Sequence, residues 1–198
     1  MVTLSDEERA ALFGAAQAGV VASAALEEPA EVGFDQAVER LEGAADRDEV
    51  GQLLLAFFGH HFDRVVLLGV RREATTGWLA TGEGLDRRRL ETLSIPFDRP
   101  SIFLNLRQGS AFHLGPLPPL PAHRPLVALL GGDQPRECLL LPVRLGGRLV
   151  AALYADRGGD RLAGLDLESL RRLTELAGAA LERAILLKRR EKSGSAGG

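Results

Sequence analysis

The stretch Arg136–Gly159 constrains the fold more than any other part of the chain. Two apolar runs meet at Gly146-Gly147, a two-residue β-hairpin turn by its glycines. That loop sets Val143 opposite Val150, Leu141 opposite Ala152 and Leu139 opposite Tyr154. The other side pairs Leu140 with Leu153 and Cys138 with Ala155. Both sides of this hairpin are apolar, so neither can face water. The sheet that contains it must be covered twice.

Composition sets the class. With 198 residues, 45% of them apolar, the chain can build one domain plus accessory helices around a real core. A net charge of −3 gives no global attraction to nucleic acid or to an anionic membrane. The single cysteine, Cys138, allows no intramolecular disulfide and suits a reducing, cytoplasmic setting. Lys188 and Lys192 are the only lysines, and the remaining basic residues are arginine, which reads as coding bias. Ala10–Leu26 is uncharged but rich in Ala and Gly. It follows Asp6, Glu7 and Glu8 rather than a positive start. It therefore reads as a close-packing helix, not a signal peptide or membrane span.

The periodicities predict the remaining elements. Ser5 and Glu8 have capping-box spacing for a helix running to about Leu26, with a linker over Glu27–Gly33. A second helix follows Asp35 and turns Val38 and Leu41 inward. Asp46 and Glu49 start a third, on which Val50, Leu53, Leu54, Phe57 and Phe58 form one apolar stripe. Strands are expected at Arg64–Arg71, Gly77–Gly82, Leu93–Phe97 and Ala111–Leu114. A turn is expected at Glu73–Thr76. Short helices are expected at Ser101–Gln108 and Leu126–Leu130, on either side of a Pro-rich extended loop at Gly115–Pro121. The last helix starts at Asp166 and runs to about Glu191, with Leu165 and Leu170 as its hydrophobic staple.

This order resembles a GAF domain, the sensing and dimerisation module of many bacterial regulators. Three stretches carry the likeness: Ala45–Gly82, Leu141–Leu153 and the helix from Asp166. Ala151 stands where the family often has Gly. The resemblance implies an α+β fold with a central antiparallel sheet of about six strands and helices on both faces. It divides the chain into an N-terminal helical extension (1–44), the GAF-like domain (45–192) and a flexible tail (193–198). It also implies a ligand pocket under the short helices, lined by Trp78, Ile95, Phe97, Phe103, Phe112, His113 and Tyr154. The same residues also suit a plain core.

The constellations that would carry chemistry are incomplete. The Asn-Lys pair of cyclic-nucleotide-binding members is missing, since Asn105 is the only Asn and both lysines are C-terminal. Cys138 on a strand reads as a small core residue, not a bilin attachment point. A lone cysteine cannot run the disulfide chemistry of the sulfoxide reductases of this fold. His60 and His61 are neighbours on a helix and point about 100° apart, a poor chelating geometry. An Asp156 calcium loop fails at Arg161 and Leu167. Arg87-Arg88-Arg89 reads as a solvated face balanced by Glu83, Asp86 and Glu91. No nucleophile, base and orienter are grouped, so the chain is expected to be non-catalytic, without metal or cofactor. Leu170, Leu173, Ala177, Ala180, Ala184 and Leu187 step as a heptad, fit either for a homodimer partner or for burial by the chain's own helices. The expected role is a regulatory module whose output lies in a partner protein, with small-molecule sensing as the alternative.

Overall fold

The computed structural model describes residues 19–20 and 33–195. Seven strands occur in chain order: β1 (Gly19–Val20), β2 (Arg64–Val70), β3 (Ala74–Gly82), β4 (Ser94–Pro96), β5 (His113–Gly115), β6 (Cys138–Leu145) and β7 (Arg148–Asp156). Among the described residues six α-helices accompany them: α1 (Phe34–Gly43), α2 (Arg47–Gly59), α3 (Arg87–Thr92), α4 (Ile102–Arg107), α5 (Arg124–Leu129) and α6 (Leu167–Ser195). A 3-10 turn spans Pro121–His123. The sheet runs β1-β3-β2-β7-β6-β5, and β4 pairs with β3 as well. All pairings are antiparallel except β1 with β3.

Helix starts follow local chemistry. The Asp46 carboxylate accepts from the Asp48 and Glu49 N–H groups, and the Glu49 carboxylate accepts from the Ala45 N–H. Ser101 Oγ accepts from the Leu104 N–H, and Asp166 accepts from the Ser169 N–H. Helix α2 buries its whole predicted stripe, Val50 to Phe58.

Both sides of the hairpin are buried, and each faces its own core. The first lies under α1, α2 and α6 and takes Val65, Leu67, Leu139, Leu141, Leu153 and Ala155. The second lies under α3, α4, α5 and the 3-10 turn and takes Val66, Leu68, Ala80, Leu140, Ala152 and Tyr154.

The hairpin register differs from the expectation by one residue over most of its length. Arg144 pairs with Leu149 and Leu145 with Arg148 as a two-residue loop requires. Beyond them Val143 pairs with Ala151, and Val150 is extra. This β-bulge turns both Val150 and Ala151 toward the first core and moves Tyr154 onto the Leu140 side. A matching bulge interrupts β3. Leu67 pairs with Leu79 and Leu68 with Gly77, so Trp78 is the extra residue.

Other expectations need correction. Gly19–Val20 is a strand parallel to β3, which interrupts the helix expected over Ser5–Leu26; glycine and a β-branched residue are both poor at continuing a helix. The rest of that helix and residues 27–32 of the linker lie outside the described residues. The turn after β2 comes earlier than expected, so β3 starts at Ala74. Arg87–Thr92 forms a helix, not just a charged surface, because Asp86 accepts from the Arg88 N–H and Leu90 is buried. The final helix runs on to Ser195, and residues 196–198 lie outside the described residues.

The heptad of α6 is directed inward. Leu170, Leu173, Ala177, Ala180 and Ala184 are buried, and of the six only Leu187 is exposed, at 47%. The small residues explain this. A Cβ built on Gly178 would stand 2.1 Å from the Arg144 carbonyl oxygen, so glycine there lets α6 lie directly on β6. Arg183 then donates to the Leu41 carbonyl near the end of α1, which fixes the two helices together. We expect Gly178→Ala to force α6 off the strand and cost about 2–3 kcal/mol. Urea unfolding should show a lower midpoint with an unchanged slope.

Candidate functional site

The second face is where the GAF likeness puts a ligand. Four of the seven predicted residues meet there. Ile95, Phe103 and Tyr154 are fully buried, and Phe97 packs at the margin beneath the Arg107 guanidinium, 4.4 Å from its ring centroid. His113 is half-buried on β5 opposite Leu140, and its Nε2 lies 3.2 Å from the Pro116 carbonyl oxygen. Trp78 and Phe112 are elsewhere, on the first face. The β3 bulge turns Trp78 toward α2, where its Nε1–H donates to Asp48 and Arg47 lies over its ring. Phe112 packs beneath Arg171 of α6.

On the second face Phe103, Leu106, Leu126, Leu129 and Tyr154 close against one another with no solvent exposure. Clefts of about 460, 420 and 310 Å³ open on the described surface, and none is lined by any of the seven residues. One buried polar atom on this face has no partner, Thr75 Oγ1, on the residue paired with Ile95.

A polar cluster closes one end of the second core. Arg64 opens β2 and Asp156 ends β7, and the two are directly paired across the sheet. Arg64 Nε and Nη2 donate to Asp156 Oδ1 at 2.9 and 2.6 Å. The Gly158 N–H donates to the same oxygen at 2.7 Å, and Tyr154 Oη donates to Oδ2 at 2.8 Å. Arg64 Nη1 donates to the carbonyl of Leu130, the C-cap of α5. Both oxygens of the carboxylate are thus engaged. The cluster clamps α5 to the sheet and offers no free nucleophile.

The surroundings shift the neighbouring acids. Burial raises the Tyr154 phenol well above its ordinary value, and the Asp156 charge adds to that. Cys138, opposite Asp156 in the hairpin, is pushed up to about 12 by burial and then by the same carboxylate. A thiol so held stays protonated and inert.

Arg64, Asp156 and His123, polar residues of this face, have no counterpart among the predicted site residues. Arg64 and Asp156 do leave a trace in the sequence, as lone charges at the ends of otherwise apolar strands. Their mutual pairing spans 92 positions and has no local signature. His123 suggests a role in the sequence only as a metal ligand without companions. Among the described residues no His, Cys, Asp or Glu cluster could hold a metal ion, and no helix is long and apolar enough to cross a membrane.

Two outcomes test the cluster. Arg64→Met should cost about 3–5 kcal/mol by leaving Asp156 charged and buried, whereas Arg64→Met with Asp156→Leu should cost clearly less, as read in a double-mutant cycle of urea unfolding. Tyr154 is the only tyrosine. Its native phenol is raised, so its stabilisation is complete below about pH 10 and is lost as pH rises further, when the unfolded chain ionises first. Ultraviolet titration should show no phenolate in the folded protein at about pH 10, and phenolate appearing only together with loss of circular dichroism.

Solved structures share the fold. A segment of a methyl-accepting chemotaxis protein superposes with a TM-score of 0.62 at 18% identity, covering 77% of this chain and 98% of that one. The GAF domain of a two-component sensor histidine kinase from Bacillus halodurans gives 0.57 at 20% identity, covering 73% and 99%. The free methionine-R-sulfoxide reductase from Neisseria meningitidis, in complex with its substrate, gives 0.56 at 18% identity, covering 76% and 87%. At these identities the likeness concerns the fold. No curated protein matches the chain by sequence. The family model for the GAF domain matches residues 9–181. GAF domains are in general signalling and regulatory modules, and this chain belongs to the GAF domain family.

Proposed function

We propose that this chain is a non-catalytic, cytoplasmic regulatory module that works through contact with other proteins, including a second copy of itself. One observation carries the reading. On the face that could have enclosed a ligand, Phe103, Leu106, Leu126 and Tyr154 have no solvent exposure, which supports contact over ligand capture. Such a domain has its outer surfaces left for signalling. The C-terminal part of α6 is the favoured surface. Ile185 is the last described side chain packed on the core, Leu187 beyond it is exposed, and the helix continues to Ser195. The partner would supply the output.

Sedimentation velocity tests this directly. The wild-type chain should sediment as a dimer at tens of micromolar, and Leu187→Glu should move it toward monomer. A monomeric wild type overturns the homodimer.

A second reading, small-molecule sensing, rests on Thr75. A buried hydroxyl without a partner costs about 1–3 kcal/mol, and a ligand group could satisfy it. A thermal-shift screen of metabolites distinguishes the two readings. A saturating ligand that raises Tm, with the rise abolished in Thr75→Val, favours sensing; no stabilising metabolite favours the contact module.

A further inference from the structure

The segment 117–130 crosses the second core as a strap, and its ends and its middle are held by different chemistry. At the far end Arg64 donates to the Leu130 carbonyl, and the Asp86 N–H donates to the Leu129 carbonyl. Gln134 Nε2 donates to the Leu117 carbonyl. None of these donors changes charge near neutral pH. The middle is held by His123, in the 3-10 turn.

His123 is 1% exposed. Its Nδ1 lies 2.8 Å from the Pro118 carbonyl oxygen and its Nε2 lies 3.1 Å from the Ile102 nitrogen. A carbonyl only accepts and an amide N–H only donates. Nδ1 must therefore carry the proton and Nε2 must be bare. Only the neutral ring, in that one tautomer, makes both bonds. A second proton would set an N–H at Nε2 against the N–H of Ile102. It would break the bond that ties the turn to α4.

The neighbours offer no compensation. The turn packs among β4, β5, α4, α5 and the Pro-rich loop, and none of these elements contains an acidic residue. Their ionisable groups are His113 on β5, Arg107 on α4 and Arg124 on α5. His113 opposes a charge on the ring. Arg107 is turned away to the Arg72 carbonyl, and Arg124 is exposed. Phe103 meets the imidazole edge-on at 6.3 Å. Burial holds the imidazole below its ordinary value, although the Pro118 bond pulls the other way. Protons can still reach the ring from the cleft of about 420 Å³, which His123 lines together with Pro118, Leu120, Val127 and Gln134.

We propose that His123 is an acid-sensitive latch: its protonation releases the 3-10 turn from α4 and loosens the strap over the second core, while Arg64 keeps the far end hinged. The sign follows from the geometry. The opened strap binds the proton better than the closed one. The latch is fully engaged above about pH 6.5 and weakens as pH falls below it.

Hydrogen exchange of the full chain, read by mass spectrometry and corrected for intrinsic rates, tests the latch. Between about pH 7.5 and pH 5, wild-type peptides covering residues 102–108 and 117–130 should open at least about tenfold more, the factor one lost hydrogen bond corresponds to. Peptides from β6 and β7 should not change. His123→Gln can accept from Ile102 and donate to Pro118 without ever charging, and it should show no acid response. A wild-type strap indifferent to pH, or a variant with the wild-type response, overturns the proposal. Nitrogen-15 NMR of the wild-type ring gives a reading that needs no variant. Nδ1 protonation with a titration below the free-imidazole value is expected; a titration at or above that value overturns the latch.

Discussion

Strands β2, β7 and β6 have no wet side. Their alternate residues enter two different cores, and neither core exists without its own cover of helices. The rest of the architecture follows from that requirement. Helices α1, α2 and α6 cover one face. The other is covered by helices of six residues and a 3-10 turn. Six residues do not hold a helix in water, so these pieces are helical only while docked. The domain therefore has a stiff layer and a soft layer on opposite sides of one sheet.

What was legible in the sequence was local. The capping residues Asp46, Ser101 and Asp166, the stripe from Val50 to Phe58 and the Gly146-Gly147 turn each act within a few residues, and each landed where expected. The apolar content of both hairpin sides also foretold two covers. Bulges were not legible. Leu149, Val150 and Ala151 could all continue a regular ladder, and nothing in their residue types marks an extra position. One extra residue then shifts every pair beyond it, which is how Tyr154 came to lie opposite Leu140 rather than Leu139, while Trp78, itself an extra residue, turned to the first face. The α6 heptad was visible, but a stripe of Leu and Ala suits a sheet as well as a partner helix. Gly178 against the Arg144 carbonyl decides the matter, and that contact joins residues far apart in the chain.

The candidate site was less legible for a related reason. Arg64 and Asp156 look like ordinary strand ends until the sheet is assembled. Then they stand side by side, and their charges become tolerable only because Tyr154, Gly158 and the Leu130 carbonyl complete the set of bonds. A buried ion pair of this kind adds little net stability, but it penalises every alternative in which one member is left alone. It thus specifies where α5 must end. The role of His123 was hidden more deeply still, since it depends on which ring nitrogen carries a proton, and that is set by two backbone groups from separate segments.

The two layers communicate through few atoms. Along β7, Tyr154 bears on the soft layer, while Leu153 and Ala155 bear on the stiff one. Along β6, Leu140 lies between Leu139 and Leu141 in the same way. Side chains on either face are anchored to one backbone, so the strap and the residues that seat α2 and α6 share the same strands. The strap is held at Leu130 by Arg64 and at Leu117 by Gln134, so its titratable hold is the one in the middle, at His123, beneath which Phe103 and α4 lie.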